Sequence, residues 1–73
     1  MTIDIPVRYR SGTHIANAQS IRCSAAAGPR QAIERWIGRY QDKNPLARCS
    51  VAGVRPGENP STTVYTIEIR DRD

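Results

Sequence analysis

The sequence predicts a two-layer α+β domain, a four-stranded, mostly antiparallel sheet with one helix packed on one face. Three observations predict it. Pro29 to Asp42, PRQAIERWIGRYQD, carries a helical period. Thr2 to Arg10 and Thr62 to Arg70 both alternate between apolar and polar residues at period two. A helix this short is marginal alone, so its apolar stripe needs the strands as cover. The expected order is β-β-α-β-β, with the whole chain, residues 1–73, as one small domain.

Thr2 to Arg10 opens the chain. Ile3, Ile5, Val7 and Tyr9 fall on one side, and Asp4, Pro6, Arg8 and Arg10 on the other. Pro6 cannot donate to a ladder, which favours an edge strand or a bulge. Ser11-Gly12 is a turn signal. In residues 13 to 27, Ile15, Asn17, Gln19, Ile21, Cys23 and Ala25 share one face of a second strand. Ser20, Arg22 and Ser24 share the other. Gln19 to Ala25 is its better half, and a hairpin with the first strand is the economical pairing.

In the helix, Ile33, Trp36, Ile37 and Tyr40 line one face, bordered by Ala32. Pro29 suits the first helical position and Gly28 is a tolerable N-cap. Gly28-Pro29 also argues against extending the helix back through Ala25 to Ala27. Asn44-Pro45 ends the run, because a residue before proline is pushed out of the α region.

Leu46 to Arg55 then alternates Ala47, Cys49 and Val51 with Arg48, Ser50 and Ala52, and Gly53 suggests a bulge or strand end. Pro56 to Pro60 reads as a hairpin tip. Thr62 to Arg70 is rich in β-branched and aromatic residues. There Tyr65, Ile67 and Ile69 face the helix. Asp71 to Asp73 forms a charged tail. The expected core is Ile3, Ile5, Val7, Tyr9, Ile21, Cys23, Ile33, Trp36, Ile37, Tyr40, Cys49, Val51, Tyr65, Ile67 and Ile69.

With 38% hydrophobic residues the chain has enough apolar content to fold rather than remain disordered. No apolar run is long enough to cross a bilayer. The start of the chain lacks the basic n-region and apolar core of a secretory signal, so the expected compartment is the cytoplasm. Cys23 and Cys49 form no CxxC and read as two thiols acting as small hydrophobes. A core this small is compatible with a monomer or a homodimer.

The net charge is +4, and all but one of the eleven basic residues are arginine, Lys43 being the exception. An arginine-rich codon bias would supply that count, but it would not decide where the side chains point. If the apolar sets face the helix, the open sheet face carries Arg8, Arg10, Arg22, Arg48 and Arg70, with Asp4 and Glu68 as its acids. Like charges opposed on neighbouring strands are destabilising, and an anionic partner would relieve them. Arg30, Arg35 and Arg39 make a second basic stripe on the outer side of the helix, where Arg30 and Glu34 are an i, i+4 pair. Arginine's planar fork engages phosphates and carboxylates bidentately.

Catalytic chemistry is not expected. His14 is the lone histidine and lies beside a turn. The serines lack a GxSxG setting. Gly53 and Gly57 lack the context of a phosphate-binding loop. One histidine and two cysteines are too few for a zinc site. No cofactor and no metal are expected.

The segments IDIPVRYR, PRQAIERWIGRY and TTVYTIEIR, set around one helix in a chain of this size, resemble in layout the small accessory proteins of phages and other mobile elements, of which the anti-CRISPR proteins are the best-known set. That resemblance implies stoichiometric binding to a host nuclease or surveillance complex and blockade of its nucleic-acid site. Many such inhibitors are acidic mimics of nucleic acid. This chain is basic and departs from that pattern. The expectation from the residues is a non-catalytic module whose arginine face engages an acidic macromolecule, either nucleic acid or a protein or nucleoprotein complex. The layout makes a mobile-element inhibitor the alternative.

Overall fold

The computed structural model describes residues 1–71. Six elements follow one another: β1 (Thr2–Arg10), β2 (Thr13–Ala18), β3 (Ile21–Ala25), α1 (Pro29–Lys43), β4 (Ala47–Pro56) and β5 (Thr62–Asp71). The strands form one sheet in the order β3-β2-β1-β5-β4, and every neighbouring pair is antiparallel. The α+β class and the single helix agree with the sequence. The strand count does not, because the described residues hold five strands where the pattern predicts four. Asp71, expected in the charged tail, is the last residue of β5; Arg72 and Asp73 lie outside the described residues.

The additional strand comes from the segment read as one strand after Gly12. Gln19 and Ser20 have φ angles of 52° and 62°. Positive φ at both central residues is the mark of a two-residue type I′ hairpin turn. It folds the segment into β2 and β3 and changes the parity. Ala16 and Ala18 before the turn share the helix-side face with Ile21, Cys23 and Ala25 after it. Ile15 and Asn17, expected beside Ile21, fall on the open face instead. Ser11 and Gly12 close the β1–β2 hairpin in the same way, with φ of 52° and 78°.

Pro6 lies on the central strand, not at an edge. Around a two-residue turn, Arg10 and Thr13 form a hydrogen-bonded pair, and such pairs recur at every second residue. The next are Arg8 with Ile15 and then Pro6 with Asn17. Proline has no N–H to give, and the β1–β2 register ends one residue earlier, at Val7 and Ala16. Against β5 the same strand pairs without interruption from Thr2 to Arg8.

The helix lies chiefly over β3 and β2 and reaches β1 and β4. Gly28 occupies its N-cap and Pro29 its first turn, and Asn44 caps the far end by donating from its backbone and its side chain to the Tyr40 carbonyl, at 2.9 and 3.0 Å. Trp36 is fully buried, donates from Nε1 to the Ala18 carbonyl at 3.0 Å, and stacks on Tyr40 with ring centroids 5.1 Å apart. Alanines at 16, 25 and 32 are buried in the same core, where small side chains let the helix and sheet approach closely. They are core residues that the sequence pattern leaves out, along with Ala47. Ile5, Val7, Ile21, Cys23, Ile33, Tyr65, Ile67 and Ile69 are buried as expected, while Ile3, Ile37, Tyr40, Cys49 and Val51 are partly buried at the margins. Tyr9 is the exception. It stays 51% exposed.

Cys23 and Cys49 sit on opposite edge strands and are both free thiols. Four inter-strand steps separate those edges, roughly 19 Å, which excludes a disulfide between them. The β4–β5 hairpin closes through a donation from Gly57 N to Thr62 O at 2.8 Å, and Asn59 Oδ1 accepts from Ser61 N and Thr62 Oγ1, both at 3.0 Å. One extra residue, Ala52, sits in a bulge between the Val51–Ile67 and Gly53–Thr66 pairs.

Two stability outcomes follow from the turns. Ser20→Gly relieves a left-handed backbone that an L side chain disfavours. It should add about 1 kcal/mol or less, read as a Tm rise of up to about 8 °C in a thermal melt. Gly57→Ala would bring a Cβ within 2.6 Å of Thr62 Cγ2 and 2.9 Å of the Thr62 carbonyl. The same melt should show a loss of about 1–3 kcal/mol, because the closing hydrogen bond must shift.

Candidate anion-binding surface

On the face away from α1, each strand presents the residues that alternate with its core set. β1 contributes Asp4, Pro6, Arg8 and Arg10; β2 contributes Thr13, Ile15 and Asn17; β3 contributes Arg22 and Ser24. Arg8 and Arg10, with Pro6, Ile15, Asn17 and Arg22, line a concavity of about 320 Å³. It opens at the point where Pro6 interrupts the β1–β2 ladder. The residue opposite Arg8 is Ile15 on one side and Thr62 on the other, Arg22 faces Asn17, and Arg10 faces Thr13. No carboxylate is directly opposed to any of the three. Among the described residues none of the three guanidiniums takes part in a salt bridge or side-chain hydrogen bond. Two acids border the group: Glu58 shares an adjoining concavity with Arg8, Asn59 and Thr62, and Asp42 of α1 shares another with Arg22.

The same surface continues over the β3 edge. Arg22, Cys23 and Ser24 share a second concavity with Arg35, Gly38, Arg39 and Asp42 of α1. Arg35 donates from Nη1 to the Ser24 carbonyl at 2.7 Å, which ties the helix to the outer strand beside Arg22. The two basic sets that the sequence separates, sheet face and helix side, therefore meet at Arg22. Arg30 stands apart and pairs with Glu34, Nε to Oε1 3.6 Å, both well exposed.

Arg48 and Arg70 belong to a different region. They are register partners on β4 and β5. Arg70 lies eight residues along β5 from Thr62, the partner of Arg8, which is roughly 26 Å at strand rise. Their mutual repulsion is relieved internally. Arg70 Nε donates to Glu68 Oε1 at 2.6 Å, and Arg48 Nη1 donates to the carbonyls of Ala47 and Pro45 at 3.2 and 3.5 Å. Arg8, Arg10 and Arg22 thus form one uncommitted group on the open face, and Arg48 and Arg70 a pair already engaged.

Between the groups lies a polar network that the sequence reading misses. Arg55 Nη2 donates to Asp4 Oδ2 at 3.0 Å, Thr66 Oγ1 donates to Asp4 Oδ1 at 2.7 Å, and Arg55 Nη1 reaches Thr66 Oγ1 at 3.4 Å. It ties β1, β5 and β4 together. The hydrogen bond from Arg55, with that from Thr66, holds the Asp4 carboxyl below its ordinary value, and Asp4 in turn pushes Arg55 up. The bulge at Ala52 is what turns Arg55 onto this face, and Gly53 was its only trace in the sequence. Burial pushes the Cys49 thiol up. His14 lies on the opposite, helix-side face beside Tyr9.

Among the described residues, no group of three or more His, Cys, Asp or Glu side chains is placed to hold a metal ion, and no helix is long and apolar enough to cross a membrane. Comparison with protein-family models, with curated proteins and with solved structures finds no match.

The Asp4 network carries a pH signature. Its folded carboxyl titrates lower than in the unfolded chain. The stabilisation is therefore present above the unfolded value, near pH 3.9, and is lost as pH falls through the lower folded one. Asp4→Asn should lower the Tm at neutral pH, and the gap from the unsubstituted chain should close in melts run progressively below that value.

Proposed function

We propose that this chain is a non-catalytic binding module that holds a polyanion, nucleic acid in the first place, on Arg8, Arg10 and Arg22, with Arg35 and Arg39 extending the contact around the β3 edge. The observation that carries this reading is the selective lack of internal partners. Arg30, Arg35, Arg48, Arg55 and Arg70 each satisfy a carboxylate or carbonyl of the chain itself. Arg8, Arg10 and Arg22 converge on one concavity without doing so. Keeping three guanidiniums together costs electrostatic energy in the free protein. A phosphate backbone removes that repulsion and accepts bidentate hydrogen bonds from each fork. The adjoining Ser24, Thr13 and Asn17 offer further donors at the same surface.

The mobile-element inhibitor drawn from the layout would use the same arginines against an acidic protein surface. The two readings separate in a binding titration. Anisotropy with labelled oligonucleotides at two salt concentrations should give a log K against log salt slope of roughly −2 to −4, as expected for three to five phosphate contacts. Arg22→Glu should abolish binding with the fold intact by circular dichroism. Arg70→Gln, at the other end of the sheet, should leave it within about twofold, as a residue outside the contact does. Binding that survives Arg22→Glu, or that is absent at low salt, rejects the nucleic-acid reading, and capture of an acidic protein target then becomes the test of the inhibitor.

A further inference from the structure

Tyr9 is on the helix side of β1, yet α1 does not cover it. The helix begins at Pro29, after the end of β3, and lies chiefly over β3 and β2. Tyr9 is left 51% exposed at the end of the β1–β2 hairpin. Its ring is held in place from one side by His14, its direct cross-strand partner, with centroids 4.8 Å apart and planes tilted by 52°. Its backbone is fixed by a donation from Tyr9 N to the Ser61 carbonyl at 2.8 Å. The ring is thus positioned but not buried, which is what a stacking platform requires.

Its neighbours in sequence are two of the three uncommitted arginines. Because side chains alternate along a strand, Arg8 and Arg10 stand on the open face while the Tyr9 ring stands on the other. The strand ends immediately after Arg10, at Ser11-Gly12. A flexible polymer crossing the hairpin tip therefore meets guanidiniums on one side and an aromatic face on the other. Arg8 and Arg10 are roughly 6.6 Å apart along the strand, a step comparable to that between successive phosphates of an extended chain.

We propose that the nucleic acid bound by the arginine surface is single-stranded, with a base stacked on Tyr9 over the β1–β2 hairpin end and the adjacent phosphates on Arg8 and Arg10. This rests on the polyanion reading above and adds the substrate class. A duplex buries its base faces in its own stack and cannot use Tyr9, whereas an unpaired base can.

The test compares a labelled single strand of about twelve nucleotides with a duplex of the same sequence, in anisotropy titrations at low salt. The unsubstituted chain should prefer the single strand. Tyr9→Leu keeps apolar bulk against His14 but removes the ring, and should weaken single-strand binding about tenfold while leaving duplex binding unchanged. Tyr9→Phe retains the ring and should bind as the unsubstituted chain does, which also controls for folding. Equal affinity for the two forms overturns the proposal. So does Tyr9→Leu binding the single strand unchanged, or losing both forms equally. In each of these cases a sensitive Arg22→Glu variant would still uphold the arginine surface, so the two readings fail separately.

Discussion

Trp36 is the side chain on which the arrangement depends. It is wholly buried, and its indole N–H is bonded to the carbonyl of Ala18 at the end of β2. That one residue fixes both the height and the rotation of α1 over the β2–β3 hairpin. A buried indole truncated to a methyl group costs about 3–5 kcal/mol, a large share of what so small a domain holds. Small residues complement it: Ala16, Ala18 and Ala25 on the helix-side face of β2 and β3 keep the floor under the helix shallow. Because α1 is seated there, Arg35 and Arg39 come to rest beside Arg22. The basic surface around the β3 edge is a consequence of hydrophobic packing on the other side of the sheet.

The sequence is legible where one period runs unbroken. β1, α1 and β5 follow from alternation or from the three- and four-residue spacing, and their buried residues, Ala32 apart, are the ones the pattern selects. It falls short at the Gln19-Ser20 turn and at Pro6, and at the β4 bulge, which Gly53 signals, it leaves the consequence for Arg55 unread. The Gln19-Ser20 turn has left-handed geometry with no glycine or asparagine to announce it. The bulge at Ala52 turns the end of β4 over and brings Arg55 to Asp4. Pro6 suggests an edge because proline usually avoids the interior of a sheet, yet here its missing N–H falls where β1 and β2 part. For the candidate site, the five sheet arginines are all on the face that alternation assigns them. Their grouping depends on strand order and register, which a single sequence does not encode in any local pattern. Tyr9 belongs to the core face by parity, yet α1, lying chiefly over β3 and β2, leaves it half exposed.

Charge is distributed by commitment rather than by amount. Glu34, Glu68 and Asp4 each take up a guanidinium, and carbonyls at the ends of elements take up Arg35 and Arg48. These exposed pairs add little stability one by one. Their effect is to confine the unneutralised field to the β1–β3 end of the sheet. A net charge of +4 would be unremarkable if spread evenly. Concentrated on three adjacent strands, it gives the molecule a polarity across its sheet, and long-range attraction would present that side first to an approaching anion.

The bulge in β4 has a second consequence, for encounters between copies of the chain. β4 is an outer strand ten residues long, and an uninterrupted outer strand of that length is a template for edge-to-edge aggregation. Ala52 breaks its hydrogen-bonding rhythm after Val51, Arg48 places a cation within the first stretch, and Pro56 closes the second without an N–H. An incoming strand finds only a few residues in register on either side. The irregularity that orients Arg55 on one face also blunts the margin of the sheet against its own kind.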